Sequence, residues 1–364
     1  MALHNPRRHQ LHTTSCQQII HEEFDIKKGT GTVTIQSDLT HPKLFPVLTG
    51  HVMNGRTLGP SSLYGDMAMT VANHMYQILR PEEPEICLNV CAMEVHKTLM
   101  IEVPPHPDGQ HLRMEATVDL SVGEVKVIFK SVTWDGTVIQ EHGDGTVKYE
   151  DPTLWRQEWD SITHLVNGQI TDLERKLQNG QAHKILRGLA YKIFDALVSY
   201  GPKYQGMESV ILDKNDTTAT ATIKLQTTPG INGEFFCSPY NIDNLCHLSG
   251  FIVNAADVES AEPLVYISHG WESLKFLKPQ EISSEKTYRS FVRMVPQAKN
   301  VYAGDVYILE GEEIIAVLYG LKFQGVPQKL MDVLLPPLPK VRDVGEKKVR
   351  KEKKVKIEAP AVAA

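Results

Sequence analysis

The 364-residue sequence predicts an α+β protein of two tandem units, each a curved antiparallel sheet wrapped around one central helix. Three observations carry that reading. A helix-forming stretch after Pro60 is followed by β-type runs separated by turn dipeptides such as Asp108-Gly109 and Asp135-Gly136. The same order of elements recurs after Pro239, although the two halves share little sequence. Between them, residues 152–182 are rich in helix formers with periodic leucines and read as a helical connector.

Residues 1–16 lack a clear pattern and are read as a flexible segment outside the fold. The first unit, 17–150, opens with two strand-like runs, QQIIHEEF and GTVTIQSDL. A helix runs from Pro60 to about Leu79, with Leu63, Met67, Val71 and Met75 at helical spacing and Pro60 suited to its first turn. After a break at Pro81–Pro84, strands are expected near 86–95, 97–103, 111–120, 124–133 and 136–149. In the second unit, 183–326, a helix is predicted over 184–199, ended by Gly201-Pro202, then strands near 207–213 and 217–226. A second central helix runs from Pro239 to about Val258, and strands follow at 264–269, 271–278, 285–296, 300–309 and 313–324. A helix with a sheet curled round it is the hot-dog arrangement, and its repetition makes a double hot dog.

Composition narrows the function classes. The content of hydrophobic residues, 41%, suits a sizeable core. No stretch approaches the 18 continuous apolar residues of a membrane span, and the N-terminus lacks the apolar run of a secretory signal. Five cysteines without framework spacing indicate reduced thiols and a cytoplasmic setting; Cys87 and Cys91, lacking a second pair, do not read as a zinc site. The net charge of −6 hides a basic run at 340–356, with nine Lys/Arg against three Asp/Glu. It lies within 327–364, a Pro/Lys-rich stretch read as a solvated linker rather than a nucleic-acid or lipid-binding patch.

Two stretches carry the chemistry. His51, Gly55 and Pro60 form H-x3-G-x4-P, placing an imidazole on an extended segment with a glycine turn and a helix behind it. Asp243 and His247, four apart, share one face of the second central helix, with Gly250 and Asn254 on the same stripe. An acid within so apolar a helix is costly to bury without a partner. Aligning Pro60 with Pro239 sets Tyr64 opposite Asp243, so one half keeps a histidine and the other an acid. A single site shared by both halves would have that pattern, with Asp243 fixing the tautomer of His51 and leaving its other nitrogen as a base.

This motif pair resembles that of polyketide and fatty-acid dehydratases of double hot-dog fold. The longer stretches GHVMNGRTLGPSSLYGDMAM, LAYKIFDALVSYGPKYQGMESVIL, SPYNIDNLCHLSGFIVN and HGWESLKF narrow the resemblance to the product template domain of fungal non-reducing polyketide synthases, over residues 17–326. Gly59 departs at a position that varies among relatives and bears only on cavity shape. The resemblance implies regioselective aldol cyclisation and aromatisation, with dehydration, of a poly-β-keto chain. That chain would arrive on the phosphopantetheine arm of an acyl carrier domain, with no cofactor or metal bound by the chain itself. His51 would be the base and Asp243 its orienting partner; Asn54, Pro60, Tyr64, His247 and Asn254 would line or bind substrate. Expected partners are the carrier, through a basic rim at the chamber mouth, the other domains of the synthase, and a second copy in a homodimer. Competing readings are a β-hydroxyacyl thioester dehydratase using the same pair, a non-catalytic carrier-docking module, and a metal site at His51, Asp243 and His247.

Overall fold

The computed structural model describes residues 13–83, 86–213, 215–228, 230–255, 264–297 and 300–336. The first twelve residues, the stretch after Ala255 where the second helix was expected to end, and the basic run at 340–356 lie outside them. The described chain forms a double hot dog. Thirteen strands make one continuous sheet, with a separate four-stranded sheet beside it.

The two central helices are Ser61–Leu79 and Pro239–Ala255. Both are buried around most of their circumference, because each is apolar well beyond one face and a surrounding sheet is what can cover it. The strands supply that cover by alternation. Leu112, Met114, Ala116 and Val118 of strand His111–Asp119 point inward, as do Val125, Val127 and Phe129 of Glu124–Val132. All five cysteines are free thiols, and no helix among the described residues is long and apolar enough to cross a membrane.

The units meet edge to edge where strand Cys87–Val95 pairs antiparallel with Leu264–Phe276, Val90 opposite Leu274. Two strands were expected at 264–269 and 271–278; the chain instead runs as one strand with a bulge at Gly270. Gly270 has φ +133°, and a Cβ there would lie 2.0 Å from the Met93 carbonyl oxygen, so glycine lets the seam close. The connector helix Pro152–Gln178 starts where Asp151 accepts from the Thr153 N–H, and it lays Trp155, Trp159, Val166, Ile170 and Leu173 over the outer face of the second unit's part of the thirteen-stranded sheet.

Besides that bulged strand, and the strand expected near 97–103, of which only Met100–Ile101 forms in the four-stranded sheet, three stretches differ from expectation. The helix expected over 184–199 is shorter, Arg187–Phe194, and Ala182–Leu186 before it is an edge strand paired with Met207–Asp213. A short apolar run has no period of its own, so the neighbouring strand decides its state. At the C-terminal end, the linker expected from 327 instead begins with a helix, Gln328–Leu334, whose Met331 is buried, as is Leu335 beyond it.

The N-terminal segment is the third. Ser15 and Cys16, expected outside the fold, are fully buried. Ser15 Oγ donates to Asp66 on the first central helix, and the Cys237 N–H donates to the same carboxylate at 2.8 Å. Thr14 exchanges hydrogen bonds with Glu234 in the loop that leads to the second helix. Asp66 therefore ties the chain start and the second unit to the first helix. Burial pushes its carboxyl up to about 7 against those hydrogen bonds. An acid raised in the folded chain is still protonated there when the unfolded chain has ionised, so stability falls as pH climbs from about 4 to about 7. Asp66→Asn keeps an acceptor and removes the titration. Urea melts across that range should show the unsubstituted chain losing up to about 4 kcal/mol relative to the variant. Parallel pH profiles would mean that Asp66 does not titrate there.

Candidate active site

His51 sits on a three-residue strand, His51–Met53, that turns back into Arg56–Leu58. Asn54 and Gly55 make the turn, both with positive φ, +52° and +74°. That is the two-residue primed turn that Asn-Gly favours, a hairpin signal present in the sequence but not used there. On its other edge the strand pairs with Ser199–Tyr200 of the second unit, Tyr200 directly opposite His51. The backbone under His51 is thus held by both halves.

The His51 side chain is clamped edge-on between Tyr200 and Tyr204, with ring centroids at 4.9 and 4.2 Å. Tyr204 is anchored in turn, its hydroxyl donating to the Val47 carbonyl at 2.8 Å. His51 Nε2 lies 3.1 Å from Asp243 Oδ2, and His247 Nε2, one helical turn along, bonds the same oxygen. Burial alone would push the Asp243 carboxyl up. The imidazoles of His247 and His51 outweigh it and hold the group well below the ordinary carboxylate range. With a carboxylate against both Nε2 atoms, each of these nitrogens carries its proton and donates.

The two histidines differ in what remains. His247 Nδ1 meets the Tyr191 hydroxyl at 3.3 Å, so both of its ring nitrogens are engaged. His51 Nδ1 is buried and makes no hydrogen bond. Of the pair, His51 keeps a lone pair free to take a proton, and His247 braces the carboxylate. The arrangement joins the distant parts of the sequence expected to meet, His51 and Asp243.

Around this triad lies a largely apolar cavity of about 180 Å³, lined by Leu58, Leu99, Phe194, Val265 and Phe323 among others. A second compartment of about 100 Å³ shares Ser61, Tyr200, Asp243 and Gly250 with it and is walled by His247. Of the residues expected to bind substrate, Pro60, Tyr64 and Asn254 line the larger cavity. The Tyr64 hydroxyl is buried with no partner, and burial pushes its phenol well up, so it stays a donor. Asn254 lines the wall, but its amide bonds the Gly250 and Tyr266 carbonyls and the Tyr266 N–H, a structural brace. Asn54 does not reach the cavity; its amide donates to the Leu335 carbonyl instead. Among the described residues no Lys or Arg lines the cavity, so the expected basic rim is not part of the wall they form.

Sequence reasoning missed the aromatic clamp, although Tyr191, Tyr200 and Tyr204 cluster around Gly201-Pro202. It also missed Asn244, which accepts from Gly206 N–H and donates to the Lys203 carbonyl, fixing the loop that carries Tyr204. Among the described residues, His51, Asp243 and His247 are the one group whose ligating atoms lie close enough, within 4.8 Å, to hold a metal ion. In this arrangement those three atoms are spent on one another.

Residues 172–330 match the family described as the polyketide synthase dehydratase N-terminal domain. The chain is 54% identical over 329 residues to non-reducing polyketide synthase Preu8 of Preussia isomera, an alignment covering 90% of the chain and 15% of the relative. It is 48% identical over 325 residues to non-reducing polyketide synthase PKS1 of Zymoseptoria tritici, covering 89% of the chain and 15% of the relative. The chain therefore spans about a seventh of the length of these synthases. The dehydratase domain of RzxB from Pseudomonas fluorescens superposes with a TM-score of 0.61 at 15% identity, covering 86% of this chain and 98% of that one.

Two substitutions test the brace. His247→Phe leaves Asp243 one imidazole, and its carboxyl, followed by carbon NMR, should titrate at higher pH than in the unsubstituted chain. An unchanged titration would assign the lowering to His51 alone. Tyr191→Phe removes a hydroxyl that accepts from Met207 N–H and shares its one proton between the Tyr204 carbonyl and His247 Nδ1, which should cost about 1–3 kcal/mol in denaturant melts.

Proposed function

The chain belongs to the dehydratase-like, double hot-dog family of fungal non-reducing polyketide synthases, and from that premise we propose that it is a product template domain. It folds and closes a poly-β-keto chain into an aromatic ring, the chain arriving as a thioester on the phosphopantetheine arm of a carrier domain. The observation that carries this reading is the unequal use of the two His51 nitrogens. Nε2 is held by Asp243, while Nδ1 is buried, unpartnered and shielded from bulk water.

A methylene between two carbonyls is acidic enough for a neutral imidazole to deprotonate. His51 Nδ1 takes that proton, and the Asp243 carboxylate stabilises the imidazolium so formed. The resulting enolate attacks a ketone further along the folded chain, forming the new carbon–carbon bond. Its oxygen becomes an alkoxide, which the His51 imidazolium protonates. Loss of that hydroxyl with a second methylene proton releases water and gives the aromatic ring. The Tyr64 hydroxyl, buried on the cavity wall without a partner, is the donor we assign to the developing enolate or alkoxide oxygen. Apolar walls keep water from competing for these charges.

The dehydratase reading uses the same pair, with the family description in its favour. One assay separates the two. The chain is supplied with the remaining domains of a minimal synthase as separate proteins, beside His51→Ala and Asp243→Ala. A cyclase is expected to direct product to one aromatic compound. His51→Ala should lower that rate by about 10²–10⁴-fold and return the material to spontaneous pyrones. Turnover of a β-hydroxyacyl thioester, with no change in ring pattern, would replace the cyclase by the dehydratase. Equal product profiles for all three proteins would make His51 structural.

A further inference from the structure

The chamber around His51 has one wall that comes from outside both hot-dog units. Leu335 lines the cavity, yet it lies past the last strand and the short helix Gln328–Leu334. Leu335 and Met331 are 6% and 2% exposed and pack in an apolar cluster with Met53 and Val265; Leu58, Leu197, Val198 and Ile267 close around it. The segment is pinned to the hairpin that carries His51. Asn54 Nδ2 donates to the Leu335 carbonyl at 3.3 Å, and Arg56 Nε to the Pro336 carbonyl at 2.9 Å.

The space left inside is small. Pockets for drug-sized ligands run to roughly 300–1,000 Å³, and this cavity holds about 180 Å³, with about 100 Å³ more in the adjoining compartment. A keto chain long enough to bend back on itself needs more room than that, so part of the wall must set a limit or give way. Met53, Leu58, Val265 and Ile267 belong to strands, and Tyr64, Pro60 and Gly250 to the ends or bodies of the central helices. Moving any of these breaks a ladder or a helix; Thr98, Leu99, Leu197 and Val198, which also line the cavity, lie on connections within the two units. Leu335 rests on apolar contact and on side-chain bonds to two carbonyls.

We propose that Leu335 is the specificity-determining wall of the chamber: it sets the length of acyl chain accepted, and longer chains enter by lifting the segment Gln328–Pro336. This rests on the acyl-thioester substrate of the proposed function but not on the cyclisation step. The role also explains why Asn54, in the turn after His51, and Arg56, just beyond it, are spent on the C-terminal segment: the catalytic hairpin and the wall are held as one body.

The test measures dissociation constants of the full chain for a graded series of saturated acyl-pantetheine thioesters by calorimetry. Leu335→Ala should tighten the longest member about tenfold, the worth of two more buried methylenes, and Leu335→Phe should weaken it by a similar factor. The shortest members should bind all forms alike. Leu335→Met, which keeps the volume, should retain the original order, and thermal melts confirm that each variant is folded. If Leu335→Ala does not fold, Leu335→Val carries the same expectation on a smaller scale. An unchanged order of preference, or an equal loss at every length, overturns the wall and leaves the acyl-thioester reading standing. No binding at any length overturns both.

Discussion

Asp243 is a charge that the second unit cannot satisfy alone. It sits on an apolar helix, and burial works against its ionisation. His247, one turn along the same helix, offers one imidazole; the other, His51, comes from nearly two hundred residues earlier on the first unit. Both imidazoles together hold the carboxylate below its ordinary range. Much else in the fold serves to bring them together: the antiparallel seam between Cys87–Val95 and Leu264–Phe276, the pairing of Tyr200 with His51, and the ring clamp of Tyr200 and Tyr204.

The two central helices each carry one acid, Asp66 fully buried and Asp243 half-buried, and their surroundings drive the two in opposite directions. Asp66 meets a serine hydroxyl and a backbone N–H, neutral donors that do not offset burial, and its carboxyl is pushed up. Asp243 meets two imidazoles and is held down. Hydrogen bonds from a hydroxyl and a backbone N–H position a carboxyl, whereas imidazoles, which can take up positive charge, also favour its ionised form. The first acid fastens the chain start and the loop before the second helix; the second polarises the site. The fold thus uses the same side chain once as a latch and once as an electrostatic centre.

Much of this architecture is legible in residue order. The periodic apolar stretches after Pro60 and Pro239 correspond to the two central helices, and the alternating runs between turn dipeptides correspond to the inner strands of the sheet. The pairing of His51 with Asp243 follows from a histidine in one repeat and an acid in the other. Where the reading failed, local sequence carried no period to read. Residues 184–199 hold an edge strand and a short helix in one apolar run, and residues 264–278 hold one bulged strand rather than two. Asn54 and Asn254 look like site residues by their place in the motifs, but an amide bonds whatever carbonyl lies nearest, and that is known only from packing.

Residue types and spacing alone determined the double hot dog, the two central helices and the two residues at the centre of the site, because amphipathic periodicity and the cost of burying an acid act locally. Only the tertiary structure decided which imidazole nitrogen is free, that both histidines share one carboxylate oxygen, and that Ser15 and Leu335 belong to the packed protein. Those facts depend on which groups meet across long separations in the chain. Hydrogen-bond partners and cavity walls are properties of that meeting, and no single segment carries them.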